Sequence, residues 1–302
     1  MHFAMIERGE GAVPAVAMPG GGYLDLPASG LPWRDIEGII EAGDEGLAAA
    51  REAVKRAQGP RRAGPGGEAA EAQGPVIRDA KLLCPLSRPE KILCIGKNYS
   101  DHCRELGSPL PDRPVLFAKY RNALSGPGGE VELPAVSGMV DFEAELAVII
   151  GRRCKQMTPE GALGALRGVF GYACANDLTM RDAQTADGQW TRAKSPDGFC
   201  PLGPWIVTAD EIPYSGSSPD LGIRLLLNGE VMQDSRTSRM VFGVAELVSF
   251  LSQTMTLEPG DLLLTGTPPG VGMGRKPPVY LRSGDRTVVE IERVGSLETR
   301  MR

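Results

Sequence analysis

Residues 141–151 read DFEAELAVIIG, in which acidic residues precede an apolar, β-branched run over residues 146–150. This pattern predicts a buried strand. Because residues i and i+2 of a strand lie on the same face, Glu143 and Glu145 point the same way. Two like charges held side by side repel each other, so burying both carboxylates without a partner is costly.

A bound divalent cation would remove the cost of burying these two glutamates. Hard cations such as Mg²⁺, Mn²⁺ or Ca²⁺ prefer carboxylate oxygen as a ligand. The alternative is an exposed strand end that carries two solvated glutamates. For an isolated acidic pair, this alternative is the commoner arrangement at protein surfaces.

Length and composition fit a globular protein. The chain has 302 residues, of which 42% are hydrophobic and 24% charged, and this length suits one large domain and a smaller one. A net charge of −5 without a long basic run argues against nucleic acid or a membrane surface as a partner. We expect a cytoplasmic protein, because no apolar stretch approaches the ~20 residues that span a bilayer, and acidic residues come too early for a signal peptide.

The numbers and spacing of the cysteines and histidines limit which metal sites and catalytic triads the chain can form. The six cysteines show no C-x-x-C spacing, which predicts reduced thiols rather than disulfides or a zinc site. The chain has only two histidines, His2 and His102. Any histidine-rich metal centre or Ser-His-Asp triad would therefore depend on His102.

The pattern of the first 80 residues predicts a small α+β domain whose role is packing or oligomerisation. Residues 59–75 are rich in glycine, alanine and proline, which predicts a flexible linker. The motifs with catalytic chemistry follow in residues 81–302. Within the small domain, strand patterns cover residues 2–6, 13–17 and 22–26, and a helical pattern, weakened by Gly38 and Gly43, covers residues 34–57.

The segment NYSDHCREL, residues 98–106, predicts a helix with His102 and Glu105 on one face. A carboxylate beside an imidazole orients the ring and raises its basicity, as a general base requires. The alternative is an ordinary ion pair on a surface helix. Lys119 ends the predicted strand 115–119 and is either a snorkelling surface side chain or an anion contact.

Polar residues also follow the apolar strand predicted for residues 169–175. Asp177 comes at the end of this strand and is the natural third carboxylate beside the two glutamates, because a rigid strand end presents a ligand well. Arg181 and Gln184 follow at a helical spacing that would place them on the face of Asp177.

Two loops complete the set of candidate site segments. Lys194 lies in a Pro/Gly-rich stretch, residues 190–205, whose aromatic side chains either wall a pocket or pin a surface loop. TPPGVGMG, residues 267–274, lacks the lysine and the spacing of a phosphate-binding loop. It predicts a tight turn whose backbone N–H groups and Thr267 hydroxyl approach a small anion.

Seven ordered segments within residues 84–302 resemble the fumarylacetoacetate hydrolase family, in its shorter, acylpyruvase-like branch. In chain order they are KILCIGKNYSDHCREL, LFAKYRNALSGP, DFEAELAVIIG, YACANDLTMRDAQ, WTRAKSPDGFCPLGPW, LLLNGEVMQDSRTSRMVF and GDLLLTGTPPGVGMG. As evidence for a family, seven segments in the same order are far more specific than one pair of acidic residues. Residues 1–80 resemble the family's variable N-terminal domain only loosely.

The resemblance implies an α+β, mostly β protein whose C-terminal domain is a mixed β-roll, assembled into a homodimer. It implies a bound Mg²⁺ or Mn²⁺ ion, with Ca²⁺ as a substitute, held by Glu143, Glu145 and Asp177. It assigns catalytic roles to His102 and Glu105, on a segment that acts as a lid, and to Lys119 and Gln184. It assigns substrate contacts to Tyr99, Arg181, Lys194, Asn228 and Thr267.

The activity that the resemblance implies is hydrolysis of a C–C bond in acylpyruvates or related 1,3-diketo acids, from aromatic or sugar catabolism. Two oxygens of the small-molecule substrate would chelate the metal, which polarises the carbonyl group. His102 and Glu105 would activate a water for attack on that carbonyl. The metal and either Lys119 or Gln184 would then stabilise the enolate that cleavage releases.

Other functions are open on the same residues. A metal-bound enolate also serves a 2-oxo acid decarboxylase of the oxaloacetate type, or a keto–enol isomerase or lyase. These reactions differ in whether His102 and Glu105 hold a water when the substrate is bound. A non-enzymatic binder or scaffold is disfavoured, because a binder needs no base.

Overall fold

The computed structural model describes residues 1–59, 75–163 and 168–302. The linker predicted for residues 59–75 therefore falls almost entirely outside the described residues and stays a prediction. Among the described residues, no helix combines the length and the apolar character needed to cross a membrane.

The described residues form a mostly β structure with few helices, which confirms the predicted fold class. The strands are β1 (His2–Arg8), β2 (Gly11–Ala17), β3 (Tyr23–Asp25), β4 (Val76–Ile77), β5 (Leu82–Leu83), β6 (Ile92–Gly96), β7 (Val115–Lys119), β8 (Leu124–Ser125), β9 (Glu130–Val131), β10 (Val140–Asp141), β11 (Ala144–Ile150), β12 (Val169–Asn176), β13 (Thr179–Met180), β14 (Cys200–Thr208), β15 (Tyr214–Ser215), β16 (Ser218–Pro219), β17 (Gly222–Leu227), β18 (Glu230–Arg236), β19 (Leu262–Leu264), β20 (Arg286–Ile291) and β21 (Gly295–Met301). The helices are α1 (Ile36–Glu41), α2 (Gly43–Gln58), α3 (Ser100–Glu105), α4 (Pro159–Leu163), α5 (Arg181–Asp187), α6 (Thr191–Lys194) and α7 (Val244–Thr254).

A 12-stranded mixed sheet forms the frame of the molecule. Its order is β4-β3-β2-β1-β14-β12-β11-β19-β6-β7, with β5 paired to β1 and β8 paired to β14. Most neighbours are antiparallel, whereas β19 runs parallel to β6 and β14 runs parallel to β8. A 5-stranded sheet of order β18-β17-β20-β21-β9 shares an apolar core with one face of the large sheet.

Strand β11 lies inside the large sheet and is buried on both faces. Leu146, Val148 and Ile150 pack into the core shared with the 5-stranded sheet and helix α7. Ala147 and Ile149 pack into a second core on the opposite face. A strand buried on both faces requires a continuous apolar run, which explains why this segment is apolar rather than alternating.

The first 80 residues extend the same sheet, because β1 pairs with β14 and places Phe3 opposite Ile206. Phe3 and Ile206 belong to the second core together with Ile40 of α1 and Phe170 of β12. This core is therefore shared between the N-terminal segment and the rest of the chain. The division into two domains at residue 80 stays a prediction.

The single helix predicted for residues 34–57 is two helices. Helix α1 ends at Glu41, and α2 begins at Gly43, whose φ of +58° is left-handed and breaks the helical path. Asp35 starts α1 by accepting a hydrogen bond from the Gly38 N–H at 2.7 Å. The glycine that weakened the helical pattern is thus a true boundary.

Several strands meet at one edge of the large sheet and define the region of the site. β12 ends at Asn176, which pairs with Ala144 at the start of β11. β19 ends at Leu264, opposite Ala147, and β6 runs parallel to β19 and ends at Gly96. The segments that leave these strands carry the polar motifs of the sequence, so the topology brings those motifs together.

Candidate metal centre and active site

Three buried carboxylates meet where β11 begins and β12 ends. Oxygen atoms of Glu143, Glu145 and Asp177 all lie within 4.8 Å of one another. Their exposed fractions are 5%, 1% and 0%. The strand spacing and the strand end predicted this cluster, and the burial excludes the alternative of two solvated glutamates.

Cationic side chains surround two of these carboxylates. The Lys194 ammonium donates to Glu143 Oε2 and to Asp177 Oδ2, each at 2.6 Å. Lys119 Nζ donates to Asp177 Oδ1 at 2.5 Å, and Arg181 Nη2 donates to Glu143 Oε1 at 2.6 Å. Burial acts to raise the pKa of Glu143, but Lys194 and Arg181 outweigh it and hold that pKa well below its ordinary value.

Glu145 has a different environment. Its Oε2 accepts a hydrogen bond from the Gly266 N–H at 2.6 Å, and among the described residues it forms no ion pair. Burial, followed by the charges of Asp177 and Glu143, raises the pKa of Glu145 well above its ordinary value. The ionised form of Glu145 therefore needs a further positive charge nearby.

A divalent cation fits this donor set. The three carboxylates offer hard oxygen ligands from rigid strand ends, which suits Mg²⁺ or Mn²⁺. The cation would also supply the positive charge that Glu145 needs. The chain thus holds a buried acidic triad that could bind a divalent metal, and its choice of metal is not fixed by carboxylate ligands.

Asp141 is a member of the site that the sequence did not single out. Its carboxylate is fully buried and accepts from Arg181 Nε at 2.8 Å, and from the N–H groups of Gly272 at 2.7 Å and Met273 at 3.0 Å. Arg181 thereby bridges Asp141 and Glu143. Its place two residues before Glu143 was not a sufficient signal, because Asp141 ends β10 and Glu143 lies between β10 and β11.

His102 and Glu105 form the predicted pair on helix α3. His102 Nδ1 lies 3.1 Å from Glu105 Oε2, and the Gly270 N–H donates to Glu105 Oε1 at 2.9 Å. His102 is buried, with 5% exposed, and lines the same cavity as the carboxylates. The alternative of an ordinary surface ion pair is therefore excluded for this histidine.

The glycine-rich segment 266–274 binds anions, but those anions are carboxylates of this chain. Its backbone N–H groups donate to Glu145, Glu105 and Asp141. Gly270 has a φ of +103°, and a Cβ atom there would lie 2.1 Å from the Met232 carbonyl oxygen. The expected tight turn is present, and it holds three acidic side chains of the site in place.

A cavity of about 250 Å³ brings most of the candidate residues together. One wall is apolar and is built from Ile95, Leu106, Phe117 and Trp190. The predicted residues that line the cavity are His102, Glu143, Glu145, Arg181, Gln184, Lys194 and Thr267.

The polar side chains of the cavity are held by further hydrogen bonds. Arg181 Nη1 donates to Gln184 Oε1 at 2.9 Å. Thr267 Oγ1 accepts from the amide of Gln233 at 2.8 Å, and Gln233 Oε1 accepts from the Ala144 N–H at 2.8 Å. Gln233 is buried and was missed by the sequence analysis, because no local pattern links it to a site 34 residues further along the chain.

The helical alignment expected for Asp177 and Arg181 was wrong. Helix α5 begins at Arg181, so Asp177 lies before the helix rather than on its face. Arg181 pairs with Glu143 and Asp141 instead. The two residues approach the same site from a strand end and a helix start.

Two predicted substrate contacts are not among the residues that line the cavity. Tyr99 is fully buried, and its hydroxyl has no hydrogen-bond partner among the described residues. Asn228 lies in the turn between β17 and β18 with a φ of +52°, and its amide donates to Asp285 Oδ1 at 2.8 Å. The chain does not bring Asn228 to the cavity.

Comparison with known proteins agrees with this fold. Residues 91–302 match the family described as fumarylacetoacetate (FAA) hydrolase C-terminal. The oxaloacetate tautomerase FAHD2A, mitochondrial, of Bos taurus is 42% identical over 282 residues, which cover 91% of this chain and 82% of that protein.

Solved structures match the whole chain. The fumarylacetoacetate hydrolase EaFAH from psychrophilic Exiguobacterium antarcticum is 34% identical with a TM-score of 0.81, and the match covers 100% of this chain and 99% of the other. The 5-carboxymethyl-2-hydroxymuconate delta-isomerase from Mycobacterium smegmatis is 32% identical with a TM-score of 0.73, over 100% and 98% of the two chains. By family match, sequence identity and fold, the chain belongs to the fumarylacetoacetate hydrolase family.

Proposed function

We propose that this protein is a divalent-metal-dependent enzyme that interconverts the keto and enol forms of a 2-oxo dicarboxylic acid of the oxaloacetate class. The observation that carries the proposal is the hydrogen-bonded His102–Glu105 pair, because its histidine lines the same cavity as Glu143 and Glu145 of the acidic triad. A relative that is 42% identical is named an oxaloacetate tautomerase, which supports this reaction.

In this proposal, Glu143, Glu145 and Asp177 hold the metal. A divalent cation bound there supplies Lewis-acid polarisation of the 2-oxo group, which makes the neighbouring CH₂ group more acidic. Arg181 and Lys194 keep Glu143 ionised through their ion pairs and so keep it ready as a ligand.

His102 moves the proton. Because its Nδ1 lies at hydrogen-bond distance from the Glu105 carboxylate, Nδ1 carries the ring hydrogen, and Nε2 is the nitrogen left to accept a proton. His102 Nε2 takes a proton from carbon 3 of the keto acid, which breaks that C–H bond, and then delivers the same proton to the 2-oxo oxygen, which gives the enol and restores the neutral imidazole. No bond between heavy atoms breaks, and the reverse transfer restores the keto form.

Neutral donors and an ammonium group face the oxygen on which negative charge develops. Gln184 Oε1 is engaged by Arg181, which leaves its amide N–H groups to donate. Thr267 Oγ1 accepts from Gln233, which leaves its hydroxyl hydrogen to donate. Together with Lys194, these groups stabilise the developing oxyanion, and they are fixed before the reaction begins.

The apolar wall of the cavity strengthens these interactions. Phe117 and Trp190 pack edge to face, with ring centroids 5.3 Å apart, and the Lys194 ammonium lies 5.0 Å from the centre of the Phe117 ring. Side chains of this kind exclude water and lower the local dielectric constant. The electrostatic interactions between the charged side chains of the site and the substrate are therefore screened less by solvent.

A second candidate function is hydrolysis of a C–C bond in an acylpyruvate or related 1,3-diketo acid. The same His102–Glu105 pair would then take a proton from a water that attacks the carbonyl carbon. The name of the 34% identical fumarylacetoacetate hydrolase from E. antarcticum supports this candidate. Decarboxylation of oxaloacetate uses the same enolate and differs in its product.

A substrate panel separates these reactions. The enol absorbance of oxaloacetate is followed in a stopped-flow instrument, with EDTA and then with Mg²⁺ or Mn²⁺ restored. We expect metal-dependent loss of the enol signal, abolished in Glu143→Gln and Glu105→Gln and retained in Glu90→Gln, where the glutamate is exposed.

The products that form distinguish the tautomerase from the other two reactions. Cleavage of acetylpyruvate or fumarylpyruvate without faster tautomerisation of oxaloacetate would replace the proposal with the hydrolase. Release of CO₂ from oxaloacetate would replace it with the decarboxylase. An enol signal that decays equally fast with and without the protein would reject the tautomerase.

A further inference from the structure

Lys97 faces the cavity from a backbone conformation that is rare for its residue type. Its side chain lines the cavity, and its φ is +57°. Only a few per cent of residues other than glycine adopt a positive φ, and those with this conformation concentrate at functional sites. Such strain persists only where the surrounding structure enforces it.

The neighbours of Lys97 enforce this conformation. A Cβ atom on Gly96 would lie 2.5 Å from the Trp190 ring, so the chain passes closely beneath that ring. Asn98 is fully buried, donates to the Thr265 carbonyl at 2.7 Å and to the Phe242 carbonyl at 3.0 Å, and accepts from the Phe242 N–H at 2.9 Å. Lys97 is therefore held in position from both sides.

Lys97 differs from the other cations that line the cavity. Arg181 and Lys194 are both ion-paired with buried carboxylates of this chain. Among the described residues, the Lys97 ammonium forms neither a hydrogen bond nor an ion pair, and its side chain is half-buried. Its charge is thus available to an anion that enters the cavity.

The charges of the site indicate which anion that is. The buried cluster has four carboxylates and three cations, and a divalent cation would leave one net positive charge. Glu105, at the edge of the cluster, and the first carboxylate of a 2-oxo acid would together more than balance that charge, so a second carboxylate needs another cation. The groups counted are Asp141, Glu143, Glu145 and Asp177 against Lys119, Arg181 and Lys194.

We propose that Lys97 binds the second carboxylate of the substrate and selects dicarboxylic over monocarboxylic 2-oxo acids. This inference rests on the proposed function, since it names the substrate class of the same site. A charge-assisted hydrogen bond between ammonium and carboxylate accounts for about a 10- to 100-fold preference in binding.

Calorimetry with unreactive ligands tests the role of Lys97 without any turnover. The Mg²⁺-loaded protein is titrated with malate and with 2-hydroxybutyrate, which has a methyl group where malate has its second carboxylate. We expect malate to bind more tightly, and Lys97→Met to weaken malate by about 10- to 100-fold while leaving 2-hydroxybutyrate within twofold. Lys97→Arg retains most of the preference, and Lys55→Met, at an exposed position of helix α2, serves as the control.

The outcomes separate this inference from the proposed reaction. Equal binding of the two ligands by the wild type, or malate binding that Lys97→Met leaves unchanged, would overturn the role of Lys97 even if oxaloacetate is tautomerised. A Lys97-dependent preference for malate in a protein that does not tautomerise oxaloacetate would support the role of Lys97 and reject the reaction. Circular dichroism of the Met variant checks that it folds.

Discussion

Glu143 and Glu145 are two residues apart, yet their electrostatic roles differ. Glu143 is neutralised by Arg181 and Lys194, whereas the Glu145 carboxylate accepts one hydrogen bond within the described part of the chain, from the Gly266 N–H. The ionised form of a carboxylate without a cationic partner is stabilised most by a bound metal ion. Within the triad, Glu145 should therefore be the ligand on which metal-dependent stabilisation depends most strongly.

Glu145→Gln should abolish the stabilisation of the fold by Mg²⁺ or Mn²⁺. A ligand at 100 times its dissociation constant stabilises the native state by about 2.7 kcal/mol, and a carboxamide ligates these cations poorly. The measurement is the free energy of unfolding in urea with saturating metal and with EDTA. Glu90→Gln, an exposed change, should keep the full difference; a metal-dependent difference that survives in Glu145→Gln would contradict the assignment.

Asp141→Asn should destabilise the protein by about 3–5 kcal/mol, because it removes one charge from a buried ion pair. The amide would also turn N–H groups towards the donors of Arg181 and of Gly272. Chemical denaturation measures the loss. Asp187→Asn breaks an exposed ion pair with Arg192 and should leave the free energy of unfolding nearly unchanged; equal effects of the two variants would disprove a structural role for Asp141.

The residues that sequence analysis identified share a short-range pattern. Glu143 directly precedes β11 and Glu145 lies within it two residues further on, and His102 and Glu105 share one turn of a helix, so local periodicity suffices to pair them. Asp141 bonds to a segment 131 residues further along the chain, so its role depends on tertiary contacts that no local pattern encodes.

At the scale of elements, segment 266–274 acts as a rigid holder for acidic side chains. It joins the start of β11, through Glu145, to helix α3, through Glu105. In the proposed function, one loop thus positions both the element that would bind the metal and the element that would move the proton. Small shifts of this loop should therefore affect catalysis more than stability.

Gly274→Ala should slow the reaction while the protein stays folded. A Cβ atom at this position would lie 2.6 Å from Glu105 Cδ, so the carboxylate that is hydrogen-bonded to His102 must shift. A displacement of about 1 Å costs on the order of 100-fold in rate. Stopped-flow rates and melting temperatures are compared with Gly138→Ala, where a Cβ atom meets nothing within 4 Å; a Gly274→Ala variant with the wild-type rate would refute this role.

Sequence patterns predicted the strands and the helix that carry the site, β7, β11, β12 and α3, because hydrophobic periodicity is local. The break between α1 and α2 was missed, since a glycine in a helical pattern does not reveal its φ. Strand order was not predictable either. β1 pairs with β14 about 200 residues later, and such pairings follow from packing rather than from either strand alone.

At the scale of the whole molecule, β11 joins two apolar cores, one shared with the 5-stranded sheet and one shared with the N-terminal segment. Removing residues 1–80 would expose one face of the strand that carries Glu145. The N-terminal segment thus supports the site without contributing a candidate ligand. The homodimer and the cytoplasmic location stay predictions.

The buried thiols of both cores make the fold sensitive to alkaline pH. All six cysteines are free. Burial raises the pKa of Cys174 well above the ordinary value of 9.0, and it raises the pKa of Cys154 to about 11. Below pH 9 these thiols are protonated in both the folded and the unfolded chain. Above pH 9 the unfolded chain releases protons that the folded chain keeps, so stability falls as pH rises.

Each such thiol should lower the free energy of unfolding by an amount that approaches about 1.4 kcal/mol per pH unit above pH 9. Cys174→Ala removes one of them, so its stability should fall less steeply than that of the wild type between pH 9 and pH 10.5. The small cavity left by the substitution lowers stability equally at every pH and does not change the slope. Urea unfolding of the metal-free proteins at pH 8, 9, 10 and 10.5 measures both slopes. Parallel curves for the variant and the wild type would mean that Cys174 ionises as readily in the folded protein as in the unfolded chain.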